Sequence, residues 1–155
     1  MSEPKDIERL IADLDDAYSG DPWHGPSLTA VIEDVSPEEA GSTALRPAHT
    51  IGEIVAHAAA WKRIVTRRMR GERFSVSPEE DWPSPRDWKA ALAELQAAHE
   101  ELKATARALD PARLDRPLVE GGSTGRAQLH GMVLHDTYHG GQIAVSKRAL
   151  RGRAP

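Results

Sequence analysis

The chain has 155 residues, 39% of them apolar and 28% charged, with a formal net charge of -4 and no cysteine. That length suits a single domain over residues 1–155, and the acidic balance speaks against nucleic acid as a partner. With no thiol in the chain, disulfides, iron–sulfur clusters and cysteine nucleophiles are excluded, so any ion must be held by His, Asp or Glu.

The opening MSEPKDIERLIADLDD is acidic where a secretory signal begins basic, and no window is long and apolar enough to span a bilayer. We therefore expect a cytoplasmic protein with no membrane partner. Basic residues gather at 62–73 and 147–153, where predicted helices end and the helix dipole favours cations.

Strand signals are nearly absent, whereas helical spacing recurs along the chain. A first long helix is predicted over Pro4–Ser19, with Ile7, Leu10, Ile11 and Leu14 on one face and Gly20 closing it. A short helix follows the Trp23-His24-Gly25-Pro26 turn, with Ser27 at its start and Leu28, Val31, Ile32 and Val35 as its stripe. Ser36-Pro37-Glu38-Glu39 then opens another short turn. The second long helix begins near Thr50, where Glu53 completes a capping box, and stops at Gly71. Its apolar stripe includes Ile51, Ile54, Val55, Ala58, Trp61, Ile64, Val65 and Met69. A Pro- and Ser-rich loop (Val76–Pro85) leads to a third helix from about Pro85 to Leu109. A second loop, Pro117–Gly125, leads to a fourth from about Arg126 to Leu150. The fold class expected is all-α: a four-helix bundle with an additional short helix near the N-terminus.

Histidines on apolar faces carry the chemical information. His135 and His139, four apart, project from adjacent turns of one helix face and can address one ion. His57 sits beside the core-facing stripe of the second helix, where an unpartnered imidazole is costly to desolvate. Three imidazoles with a fourth position open form a site that accepts zinc, nickel, iron(II), cobalt or manganese. Three hydrogen-bonded core histidines would show the same spacing. Asp136 stands where the zinc-protease helix has Glu, which disfavours a peptidase.

The segments WHGPSLTAVIEDVSPEEA (23–40), HTIGEIVAHAAAWKRIVTRRMRGE (49–72) and LHGMVLHDTYHGGQIAVSKRAL (129–150) resemble the DinB/YfiT-like superfamily of metal-dependent proteins. The most specific elements are His57 followed one helical turn later by Trp61, and the run His135, His139, Gly141, Gln142, Ile143. The resemblance implies a four-helix bundle of non-sequential helix order, a divalent ion on His57, His135 and His139, and a homodimer. Zinc or nickel is the ion expected first, with iron or manganese as further occupants.

Asp136, Gln142 and His24 are the candidate catalytic side chains, with His24 also a candidate fourth ligand or proton shuttle. Glu53 is a further base or imidazole-orienting candidate. His99 is read as a core histidine or a pocket-lining one, and Trp61 and Tyr138 as packing aromatics; His49 and His130 receive no role. The resemblance also implies a thiol S-transferase-like activity on a small-molecule substrate, and the metal site itself allows a hydrolase-like one. In the first, the ion lowers the pKa of a low-molecular-weight thiol such as bacillithiol or mycothiol, whose carboxylates Arg63, Arg67 or Arg126 would receive; in the second it activates water. The alternative is a non-catalytic metal- or ligand-binding stress-response protein.

Overall fold

The computed structural model describes residues 4–46, 48–85 and 87–152. Its elements are α1 (Pro4–Ser19), α2 (Leu28–Ile32), α3 (Pro37–Ala40), α4 (Ile51–Met69), α5 (Pro78–Asp81), α6 (Trp88–Arg107) and α7 (Gly125–Arg151), with a 3-10 turn at Pro111–Arg113. No strand forms among the described residues, and a lone bridge joins Pro117 to Thr124. None of the described helices is long and apolar enough to cross a membrane.

Local chemistry sets the helix ends. The Thr50 hydroxyl accepts from the Glu53 N–H at 3.1 Å while the Glu53 carboxylate accepts from the Thr50 N–H at 2.7 Å, so two otherwise orphaned donors are satisfied at the start of α4. Past its far end Gly71 takes φ +87°, a backbone region that favours glycine. The third long helix starts at Trp88, later than the sequence suggests, because the Asp87 carboxylate accepts from the Ala90 N–H and becomes the N-cap. The loop expected over 76–85 contains one helical turn, α5. Its Ser77-Pro78-Glu79-Glu80 repeats the Ser36-Pro37-Glu38-Glu39 tetrapeptide and forms the same capping box. Ser27 occupies the N-cap position of α2 without a side-chain cap bond.

α4 packs along both α6 and α7, and α1 packs along both α7 and α6. The order around the bundle is therefore α1, α6, α4, α7. α1 and α4, consecutive among the long helices, stand diagonally, which is a non-sequential arrangement of the four.

The core divides in two along the bundle axis. One apolar cluster includes Ile54, Val55, Leu95, Ala98 and Ile143; the other includes Ile11, Leu14, Val65, Leu102, Leu129 and Met132. Each Val, Leu, Ile or Met among them contributes about 1.5–3 kcal/mol by leaving water. Between the clusters every long helix carries a polar group: Asp15 on α1, Lys62 on α4, His99 on α6 and Asp136 on α7. The three clustered histidines discussed next occupy the same middle stretch, on the side where α4 meets α7.

Candidate metal centre

Because α4 and α7 are neighbours, the single His of one faces the i, i+4 pair of the other. The Nε2 of His135 lies 3.1 Å from that of His57 and 3.2 Å from that of His139. Imidazole nitrogens bound to zinc at about 2.0–2.1 Å stand roughly 3 Å or slightly more from one another, the spacing found here.

Hydrogen bonding at the opposite ring nitrogens selects the tautomer. His57 Nδ1 is 2.6 Å from the backbone carbonyl of Asp81, and His139 Nδ1 is 2.7 Å from Gln142 Oε1. Both partners only accept, so both Nδ1 atoms carry the proton and both Nε2 atoms present lone pairs to the cluster. Three nitrogens thus converge with at most one proton among them. The Nδ1 of His135 is buried without a hydrogen-bond partner, so neither of its neutral tautomers is fully satisfied by the protein. A cation among the three nitrogens resolves both the lone-pair crowding and the preference for a particular tautomer, and the donor set fits a divalent ion.

Electrostatics keep the imidazoles unprotonated. Burial lowers the pKa of all three, and for His135, where His139 and His57 add to the effect, the value falls to about 3. Neutral imidazole is the form that ligates.

Ring stacking holds the site laterally. Trp82 stacks on His57 at 3.9 Å between ring centres and on its other face meets His49 at 3.6 Å. The Trp61 indole N–H donates to the Asp81 carboxylate at 2.7 Å, tying α4 to the segment that accepts from His57. The histidines open onto a cleft of about 490 Å³ whose walls include Trp61, Val65, Trp82, Met132 and Tyr138.

The candidate residues separate clearly. His57, His135 and His139 meet, and Gln142 joins them by accepting from His139 while its amide donates to the Tyr138 hydroxyl at 3.2 Å. Asp136 does not join: its side chain is fully buried on another face of α7 and is bonded to Lys62 at 2.5 Å, so it is no base for the cleft. His24 is exposed, 3.4 Å from the Thr137 hydroxyl, and is not one of the histidines that converge. His99 lies in the core, stacked on Tyr18 and bonded to Asp15 at 2.8 Å. Glu53 is occupied by its capping box and by His49 at 3.6 Å. Arg63, Arg67 and Arg126 pair with Glu94, with Glu72 and Glu80, and with Asp115, and none of them lines the cleft.

Sequence reasoning missed Asp81, Trp82 and Arg68. The first two belong to a segment read as loop, where the repeated Ser-Pro-Glu-Glu start was the available signal. Arg68 lies three and seven residues after Val65 and Trp61, on the helix face that lines the cleft.

Fold and site together define a helical-bundle protein with a three-histidine group able to hold a metal ion. Residues 23–143 match the family model of the DinB superfamily, a span that contains all three histidines and omits α1. The chain belongs to the DinB superfamily. Comparison with curated proteins and with solved structures yields no significant match.

Proposed function

We propose that His57, His135 and His139 hold a divalent ion, zinc or nickel first, and that the protein is a metal-dependent enzyme acting on small molecules in the adjoining cleft. The observation that carries this reading is the convergence of three Nε2 atoms, two of them presented as lone pairs by Asp81 and Gln142. The group is completed by no fourth side chain among the described residues, and it faces an open cleft, which supports catalysis over sequestration.

When bound, the ion supplies Lewis acidity that brings a thiol or water toward its deprotonated, nucleophilic form near neutral pH. The chain's own groups do the rest. Trp61, Val65, Trp82 and Met132 give the cleft apolar walls, beside which electrostatic interactions are screened less than in bulk water. The Tyr138 hydroxyl accepts from Gln142, which leaves its own proton for a ligand. The chain supplies no thiol, so a transferase reaction would take its thiol from a low-molecular-weight cofactor.

Elemental analysis of protein purified without a nickel column, beside a His57→Ala/His135→Ala/His139→Ala variant, tests the ion. About one ion per chain in the parent and none in the variant is expected. An ion-free parent after incubation with zinc, nickel and manganese would overturn the reading. Loaded protein is then assayed with thiols and electrophiles, and with hydrolysable esters and amides. Turnover of neither kind would leave the non-catalytic binding protein as the better reading.

A further inference from the structure

Arg68 puts a cation into a cleft whose walls are mainly apolar. Of the described residues around that cleft it is the one Lys or Arg side chain, set among Trp61, Val65 and Met132. Other arginines of α4 are matched by acids: Arg63 by Glu94 and Arg67 by Glu72 and Glu80, while Arg70, just past the helix end, meets Glu101. Arg68, half-buried, has no carboxylate within 4.0 Å among the described residues. Its one hydrogen bond is a long contact of 3.5 Å to Gln128 Oε1. A guanidinium carries five N–H donors in a planar fork suited to a carboxylate, and most of those of Arg68 meet no protein acceptor among the described residues.

The cation is nonetheless held in place. Its Cζ lies 5.4 Å from the Trp61 ring centre and 5.9 Å from that of Phe74, within reach of cation–π attraction to both. The Trp61 ring centre lies in turn 5.9 Å from that of His135. Trp61 therefore bridges the guanidinium and the imidazoles, and the two are no farther apart than those two steps laid end to end. Arg68 and Gln128 also line an adjoining cavity of about 250 Å³, which gives room beyond the cation. Glu72, which lines that cavity as well, is engaged by Arg67 at 2.8 Å.

We propose that Arg68 is the specificity-determining anion site of this cleft, and that its ligands carry a carboxylate at one end, a metal-binding head at the other and an apolar spacer along Trp61. This rests on the metal reading above and names the ligand class for the same site. A carboxylate seated on Arg68 would meet charge-assisted bonds in apolar surroundings, where they are stronger than at an exposed surface.

Calorimetric titration of zinc-loaded protein, its metal content checked by elemental analysis, tests the assignment. The probes are a chain-length series of ω-mercaptocarboxylic acids and the matching ω-mercaptoalcohols. At the best-fitting length the acid is expected to bind roughly tenfold or more tightly than the alcohol. Arg68→Gln should abolish that preference by weakening the acid far more than the alcohol, and Arg68→Lys should restore part of it. Equal binding of acid and alcohol by the parent, or a preference that survives Arg68→Gln, overturns the proposal. Failure to load zinc, nickel or manganese overturns the metal reading and this one with it, whereas metal loading without charge preference overturns the Arg68 assignment alone.

Discussion

Lys62 Nζ donates to the Asp136 carboxylate at 2.5 Å, with both side chains fully withdrawn from solvent. Burial pushes Lys62 down and Asp136 up, and their mutual attraction opposes both shifts. The pair ties α4 to α7 one residue from His135, so it constrains how the two ligand-bearing helices sit against each other. The second carboxylate oxygen of Asp136 has no hydrogen-bond partner, which makes Lys62 its main source of compensation. Lys62→Met is expected to cost about 3–5 kcal/mol, because it strands a buried carboxylate, while Lys62→Met/Asp136→Leu should recover most of that loss. Urea unfolding of the parent and both variants checks it; a double variant as unstable as the single one would contradict this account.

Gln142 positions rather than ligates. Its side-chain oxygen holds the Nδ1 proton of His139, so Gln142→Leu should weaken metal binding by roughly 10–100-fold, while Gln142→Glu, which keeps an acceptor, should retain most of it. Competition against a chromophoric chelator measures both. Affinity unchanged in Gln142→Leu would show that the hydrogen bond does not select the tautomer.

His99 gives the ion-free protein a pH signature. Burial, helped by the Lys62 cation and opposed by Asp15, holds its pKa down to about 4, against about 6.5 in an unfolded chain. Between those values the unfolded state binds the proton and the folded state does not. Stability from this source is therefore complete above pH 6.5 and falls as the pH drops toward 4, by up to about 3 kcal/mol. The clustered histidines act in the same direction, so the comparison must be with His99→Leu, whose decline over that window should be shallower. Urea midpoints at a series of pH values for both proteins decide it, and parallel declines would remove His99 as a source.

Thr50→Ala removes one half of the capping box of α4 and is expected to cost about 1 kcal/mol. For a chain of this size that lowers the melting temperature by about 2–4 °C. Metal affinity should be unchanged, since His57 lies nearly two turns into the helix, so calorimetric melting and chelator competition together separate the cap from the site.

Much of the bundle is visible in one dimension because its signals are local. Helical period, the Thr50/Glu53 box and Gly71 each act within a few residues, and α1 and α4 fall where those signals put them. The pairing of His135 with His139 is equally local, since four residues on a helix place two rings on one face. Where a stronger cap lay nearby, as at Asp87, the boundary moved, and where a Ser-Pro-Glu-Glu start sat inside a loop, a helical turn formed unforeseen.

What is long-range was decided by packing. Asp136 and His135 are chain neighbours, yet one is bonded to Lys62 in the core and the other meets His57, because adjacent residues of a helix point about 100° apart. Which of several arginines faces the histidines follows from the rotation of α4 against α7, and that rotation brings Arg68 to the cleft and leaves Arg63 and Arg67 to surface acids. The sequence by itself determined four amphipathic helices and three histidines on apolar faces. Only the tertiary structure, by setting α4 beside α7 and laying Asp81 and Trp82 across His57, determined that those histidines share one point and which side chains surround it.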